Sequence, residues 1–346
     1  MDRLTQAQSL AFNPEPAPAR VHGGPGRDGA AAWDFSTCAN AAGPCPQVLD
    51  ALQRVDPCAY PDPGYHALRE RLADWHRVPA GRILFAASAS EFIQRVSAVG
   101  ARLMPGAVAV PRHAYGDYTT AARAAGRAVL VAGAGPATLR WVGEPSSPRG
   151  QDAAPPPDPQ RVPTVLDGVY APLRLQGASR WNWADRQAVF VLHGPNKALG
   201  LCGLRGAYVV APDAEAVDWD AAAWMQALAA AEPSWPLGAH ALAMLQGWPE
   251  PEVQRWLLGT RVTLGAWLAE LRGVLDAFGF ECRPSVANFL CARPPEGAPS
   301  AAALRRHGVA VRDCASFGLP GEWRLSAQGP QALEALRRAL RAEWGG

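Results

Sequence analysis

Seven short apolar runs punctuate the first two thirds of the chain: "ILFAA" (83–87), "AVAVP" (107–111), "AVLVAG" (128–133), "LRWVG" (139–143), "TVLDG" (164–168), "AVFVLHG" (188–194) and "AYVVAP" (207–212). Uninterrupted runs of this length suit strands covered on both faces. Stretches with apolar residues at helical spacing, such as "SEFIQRVSAVGARLM", lie between several of them. The pattern predicts an α/β fold around a mostly parallel, seven-stranded sheet. Helical spacing also marks "PQVLDALQRV" (46–55), "YHALRERLADWH" (65–76) and a long region from 251 to 279. Strand candidates follow near "VANFLCA", "GVAVRD" and "WRLSA", then a last helix from Pro330, which together predict a smaller α+β domain. Residues 1–32, rich in Pro, Gly and Ala, predict an extended arm, and the proline-rich segment 146–160 predicts a surface loop. The resulting division is an arm over 1–45 that joins the small domain, a large domain over 46–235 and a small domain over 236–346. No internal repeat is found.

Composition narrows the classes. At 346 residues the chain can bury a large core, and its net charge of +2 comes without a basic block, which argues against nucleic acid as a partner. No apolar run approaches the ~20 residues that span a bilayer. The N-terminal "MDRLTQAQSLAFNPEPAPAR" lacks the apolar segment of a secretory signal. Seven scattered cysteines without a C-x-x-C pair point to reduced thiols and a cytoplasmic setting, and seven dispersed histidines suggest no metal site. The 33 Lys and Arg residues include a single lysine, Lys197. Arginine cannot lose its proton in a protein, whereas a lysine amine can serve as a base or condense with a carbonyl. Gly200 and Gly203 beside it predict close backbone approach, and Arg205 follows. Asp167 and Tyr170 end the run "LDGVY", and "SASEF" (88–92) offers a helix start able to hold an anion. Singly, each residue has an ordinary structural explanation. Together, at the carboxyl ends of strands, they match the needs of pyridoxal phosphate: a lysine for its aldehyde, a carboxylate for its pyridine nitrogen and an arginine for its phosphate.

The run Lys197-Ala-Leu-Gly200-Leu-Cys-Gly203-Leu-Arg205 resembles the lysine signature of fold type I pyridoxal-phosphate enzymes, the aminotransferase class I/II superfamily. The resemblance covers roughly residues 20–345. "AYPDPGYHALRERLADWHRV" resembles the segment whose tyrosine, here Tyr60, reaches the cofactor phosphate of a partner subunit, which implies a homodimer. "ASASE" resembles the phosphate-binding turn, implying backbone donors at Ala89 and Ser90. "PRHAYGDY" resembles the segment supplying the aromatic stacked on the cofactor, implying Tyr115. "LDGVYAP" implies Asp167 at the pyridine nitrogen, Val169 against the ring and Tyr170 at the ring oxygen. Ser147 in "EPSSPRG" stands where the family carries an asparagine that meets this oxygen. "HGPN" replaces the usual hydroxyl residues before the lysine, which leaves Asn196 and His193 as phosphate partners. "NFLCAR" and "VRDCASFGLPGEWRLSA" resemble small-domain strands in which Arg312 and Arg324 hold a small-molecule amino-acid substrate, with Asn40 also at the substrate.

Within the superfamily, the landmarks are nearest to histidinol-phosphate aminotransferases and to the threonine-phosphate decarboxylases of cobalamin biosynthesis. "HGG" (22–24), "WDFSTCANAAGP" (33–44) and "VRDCASF" lean toward the second, a pyridoxal-phosphate lyase, with the aminotransferase as alternative. Two other classes remain: a pseudoenzyme that keeps the cofactor for binding, and the sensor half of a regulator. No helix-turn-helix or basic segment before residue 30 supports the latter.

Overall fold

The computed structural model describes residues 22–27 and 29–344. The predicted arm therefore falls largely, over residues 1–21, outside the described residues. The chain enters through β1 (Trp33–Asp34), then α1 (Pro46–Gln53) and α2 (His66–His76). Next come β2 (Ile83–Ala86), α3 (Ala89–Leu103), β3 (Val108–Val110), α4 (Gly116–Ala124) and β4 (Val129–Val131). β5 (Leu139–Gly143), β6 (Thr164–Asp167), α5 (Trp183–Gln187), β7 (Phe190–His193) and β8 (Ala207–Val210) follow. All seven apolar runs become the strands of one sheet, in the order β2-β8-β7-β6-β5-β3-β4. Only β8 runs against its neighbours, pairing antiparallel with both β2 and β7. Both faces are covered. One carries α3, α4 and α6 (Ala221–Ala230), and its core includes Phe92, Val96, Trp141 and Trp224. The other packs on α1, α2 and α7 (Ala239–Gly247) through Leu68, Leu72, Phe85 and Met244.

The remainder is built on α8 (Pro251–Ala277), a 27-residue helix whose buried stripe includes Leu257, Leu264, Leu268 and Leu271. β9 (Glu281–Cys282), β10 (Phe289–Arg293), α9 (Ala301–Arg306), β11 (Val309–Ala310), β12 (Arg312–Asp313), β13 (Trp323–Ser326) and α10 (Pro330–Trp344) complete it. Four of these strands form an antiparallel sheet in the order β12-β13-β10-β9. β1 pairs parallel with β11, so the N-terminal segment is stitched to this block.

Segment 146–160 forms no helix or strand, as its prolines dictate, but it is not simply a surface loop. Val286 N–H donates to Gly150 O (2.8 Å), and Asp152 pairs with Arg174 (2.7 Å), which also holds the buried Glu144 at 2.5 Å. These contacts brace the loop between the large and small sheets, and leave much of it half-buried.

Behind β7 and β8, His193 stacks on Tyr208 (4.8 Å between centroids, 11°), and His76 Nε2 lies 2.9 Å from Tyr208 Oη. Burial, with the Arg186 charge, holds the His76 imidazole down to about 4; burial and the charges of His76 and Arg186 hold His193 well below its ordinary value. Both are neutral in the fold at pH values where an unfolded histidine, near 6.5, takes up a proton. The unfolded chain then binds more protons, so stability falls as pH drops from 7 toward 4. His76 alone is expected to remove about 2 kcal/mol by pH 5. Urea midpoints at pH 7 and pH 5 test this, and equal midpoints contradict it.

Candidate active site

A cavity of about 830 Å³ opens at the carboxyl ends of the parallel strands, between the two sheets. Asp167 ends β6 on its floor, in register with Gly143 of β5. Its Oδ1 accepts the Val169 N–H (3.0 Å) and its Oδ2 accepts the Tyr118 hydroxyl (2.5 Å). Tyr118 is itself fixed by stacking on the buried Trp141 (4.3 Å, 9°). Burial holds the Asp167 carboxyl above its ordinary value, with the Tyr118 and Val169 donors and the Lys197 charge offsetting only part of the rise. A buried carboxylate fed by two donors from one side suits a cation presented from the other.

Lys197 lies in the loop after β7, with its Nζ 4.6 Å from the centroid of the Tyr170 ring. Burial pulls the amine down, but Tyr170 and Tyr115 outweigh it and leave the group above its ordinary value. The lysine's backbone is held from the N-terminal segment: Asn40 N–H donates to Lys197 O (2.9 Å) and Asn40 Nδ2 to Ala198 O (2.9 Å). Gly200 permits this approach. It sits at φ +70°, and a Cβ there would lie 3.1 Å from Asn40 O and from Gly43 Cα. Gly203 has no such reason, since a Cβ there meets nothing within 4 Å.

At the opposite wall, Ser88 caps α3 by accepting the Glu91 N–H. The first-turn amides of Ala89 and Ser90 are left for a ligand, as helix geometry requires. Asn196 and Arg205 line the same cavity, as do Tyr115 and Ser147. Tyr115 meets Tyr118 edge-on (5.8 Å, 81°) and lies 3.5 Å from Ser90 Oγ through its hydroxyl. Ser147 Oγ accepts from Arg324 Nη1 (3.1 Å), and Arg324 Nη2 donates to Ser36 O (2.9 Å). Arg312 and Arg324 lie opposite each other on β12 and β13, both nearly fully buried. Burial and the Arg324 charge hold the Arg312 guanidinium below its ordinary value, a penalty that an anion beside them would relieve.

Two expectations need correction. Asn40 does not line the cavity. Its amide is spent on Ala198 O, Thr260 Oγ1 and the Ala42 N–H, so it supports the lysine loop and is not positioned to bind substrate. His193 ends β7 facing the His76–Tyr208 cluster and does not line the cavity. Tyr60, expected at the phosphate of a partner copy, lies outside this chain's own cavity, 79% exposed and stacked on Trp235 at 4.5 Å. Ser36, Thr37, Tyr118 and His22 also line the cavity, none of them assigned a role there by the sequence. The hydroxyls of Ser36 and Thr37 donate to Asp34, and Ser36 Oγ accepts the Gly24 N–H (2.8 Å). The clue was the cluster Asp34-Phe-Ser-Thr37 itself, three short polar side chains within one turn.

This donor set fits pyridoxal phosphate. Carboxylate, amine and helix-start amides stand around one cavity, and aromatic side chains form its walls. The profile of the aminotransferase class I and II family matches residues 157–342. "Histidinol-phosphate aminotransferase 1" of Thiobacillus denitrificans is 29% identical over 343 residues, 88% of this chain and 85% of the relative. Among solved structures, L-threonine-O-3-phosphate decarboxylase from Porphyromonas gingivalis superposes with a TM-score of 0.74 at 20% identity, covering 90% of this chain and 99% of that one. Histidinol-phosphate aminotransferase from Sinorhizobium meliloti, solved with pyridoxal 5'-phosphate, gives 0.75 at 17% identity, covering 90% and 91%. The chain belongs to the aminotransferase class I and II family and is a pyridoxal-phosphate-dependent enzyme.

Proposed function

We propose that the enzyme acts on an α-amino acid bearing a second anion, in the first instance a phosphate, and that it decarboxylates this substrate. The observation that carries the substrate class is the register pair Arg312 and Arg324, lining the same cavity as Lys197 and Asp167. Guanidinium forks suit phosphate and carboxylate, and these two lie side by side, nearly fully buried, at the cavity wall. When bound, pyridoxal phosphate supplies an electron sink for the bond broken at the substrate's Cα. Lys197 would hold the cofactor and, with its amine free, would move a proton at the substrate's Cα. Asp167 would keep the proton on the pyridine nitrogen, Tyr170 would serve the ring oxygen and Tyr115 would lie against the ring. Ala89, Ser90, Asn196 and Arg205, which line the cavity, would receive the phosphate. Ser147 serves the substrate through its bond to Arg324.

Decarboxylation is supported by where the distinctive segments meet. His22 and Gly23 of "HGG", Ser36 and Thr37 of "WDFST", and Arg312, Ser316 and Phe317 of "VRDCASF" all line this cavity. A Cβ on Gly23 would fall 2.2 Å from Ser36 O, so the N-terminal segment lies directly against this wall. The reading suits a threonine-phosphate decarboxylase of cobalamin biosynthesis. The second reading, transamination of histidinol phosphate with 2-oxoglutarate, is favoured by the curated relatives that align over most of the chain. Product analysis separates them. O-phosphothreonine should release carbon dioxide without 2-oxoglutarate; no carbon dioxide, with glutamate formed from histidinol phosphate and 2-oxoglutarate, gives the second reading.

We also propose a homodimer in which the exposed Tyr60 reaches the phosphate of the partner copy, and a fully active monomer in sedimentation would remove that element. The arm over 1–45 joins the small domain (236–346) in this reading, against a large domain over 46–235, consistent with the β1–β11 pairing. The seven cysteines are free thiols, which suits a reducing compartment such as the cytoplasm. No helix among the described residues is long and apolar enough to cross a membrane.

A further inference from the structure

The direction of the two arginines is set by more than their strands. The 3₁₀ turn Ala315–Phe317 follows β12 after Cys314 and grips both guanidinium groups. Ser316 Oγ accepts from Arg312 Nη2 (2.7 Å). The Phe317 ring lies against Arg312 at 4.8 Å and against Arg324 at 5.6 Å. Phe317 packs with Cys291, Cys314 and Leu319 in a small apolar cluster apart from the two main cores. Its apolar packing is thus this small cluster and neither of the two main cores.

His113 supplies anchorage from the other sheet. It lies in the loop between β3 and α4, and its Nδ1 is 3.0 Å from Phe317 O, 204 residues away in sequence. A carbonyl only accepts, so Nδ1 carries the proton, as it can in either charge state of the ring. Gly318 closes the turn in the left-handed region (φ +74°), and a Cβ there would lie 3.6 Å from the imidazole Nδ1, so ring and turn are in contact. Arg112 and Ala114 on either side line the cavity, whereas His113 does not.

We propose that His113 is a positioning residue: by tethering the Ala315–Phe317 turn to the large sheet, it holds Arg312 and Arg324 aimed at the second anion of the substrate. It touches the arginines' brace and not the substrate, so its effect falls on affinity for the anion. This role rests on the two-anion reading of the arginine pair. The test uses the full pyridoxal-loaded chain with His113→Ala and His113→Asn, since an asparagine Nδ2 can take the place of the imidazole Nδ1. O-phosphothreonine and histidinol phosphate are each titrated against their dephosphorylated forms, following the cofactor absorbance, and amide hydrogen exchange is measured over residues 314–319.

The His113→Ala variant should bind the phosphorylated compounds about tenfold more weakly, the size of one lost hydrogen bond, and the dephosphorylated ones within about twofold. Exchange over 314–319 should quicken, His113→Asn should restore both properties, and the cofactor should stay on Lys197 throughout. Wild-type discrimination kept by His113→Ala overturns the proposal, as does equal weakening of both substrate forms or a failure of His113→Asn to restore. Wild-type protein that does not discriminate at all overturns the two-anion reading beneath it.

Discussion

Lys197→Arg is expected to abolish turnover while leaving the protein folded. The substitution keeps a positive charge in the same loop, so an electrostatic role for Lys197 would survive it in part. A covalent role would not, because guanidinium stays protonated at neutral pH and cannot condense with the cofactor aldehyde. The side chain sits over the Tyr170 ring at 4.6 Å, and the bulkier fork will press on that wall. Lys197→Ala removes the bulk and should be equally inactive, and circular dichroism of both separates lost chemistry from lost fold. Turnover by Lys197→Arg within a hundredfold of wild type would show that the lysine is not the covalent anchor.

Asp167→Asn is expected to lower the rate by about two to four powers of ten, or about 3–5 kcal/mol of transition-state stabilisation. The amide is isosteric. Its oxygen can still accept the Val169 N–H, and the Tyr118 hydroxyl can turn to accept from its nitrogen, so local structure should hold. What disappears is the negative charge that keeps a pyridine nitrogen protonated. A turn residue with the same contacts would give a near-normal rate. Stopped-flow rates with saturating cofactor measure the difference, and a rate within tenfold of wild type contradicts the assignment.

Much of the large sheet was legible because a strand buried on both faces leaves an apolar run bounded by breakers, as β2, β3 and β8 do, and even the half-buried edge strand β4 kept such a run. The reversed direction of β8 was not, since "AYVVAP" reads the same whichever way its strand runs. The proline-rich segment 146–160 betrayed its lack of regular structure but not its bracing role. That role depends on Arg174 and Val286, partners no local pattern can point to.

The site was legible where its chemistry is concentrated in one stretch, as with Lys197, Gly200 and Arg205. It was also legible where a strand end exposes an acid, as at Asp167. Tyr118 and His113 both stand in "PRHAYGDY", yet their partners are Asp167 and Phe317, fixed only when the sheets pack. Asn40 reads as a substrate ligand in a line of text. In the fold its amide is already committed to Ala198 and Thr260.

Borohydride reduction of the pyridoxal-loaded protein, followed by peptide mapping, tests the covalent role of Lys197 most directly. The chain contains no other lysine, so a stable pyridoxyl label should appear on the peptide carrying Lys197 and nowhere else. A label confined to another peptide, or none after reduction, would contradict the assignment of Lys197 and of the cavity built around it.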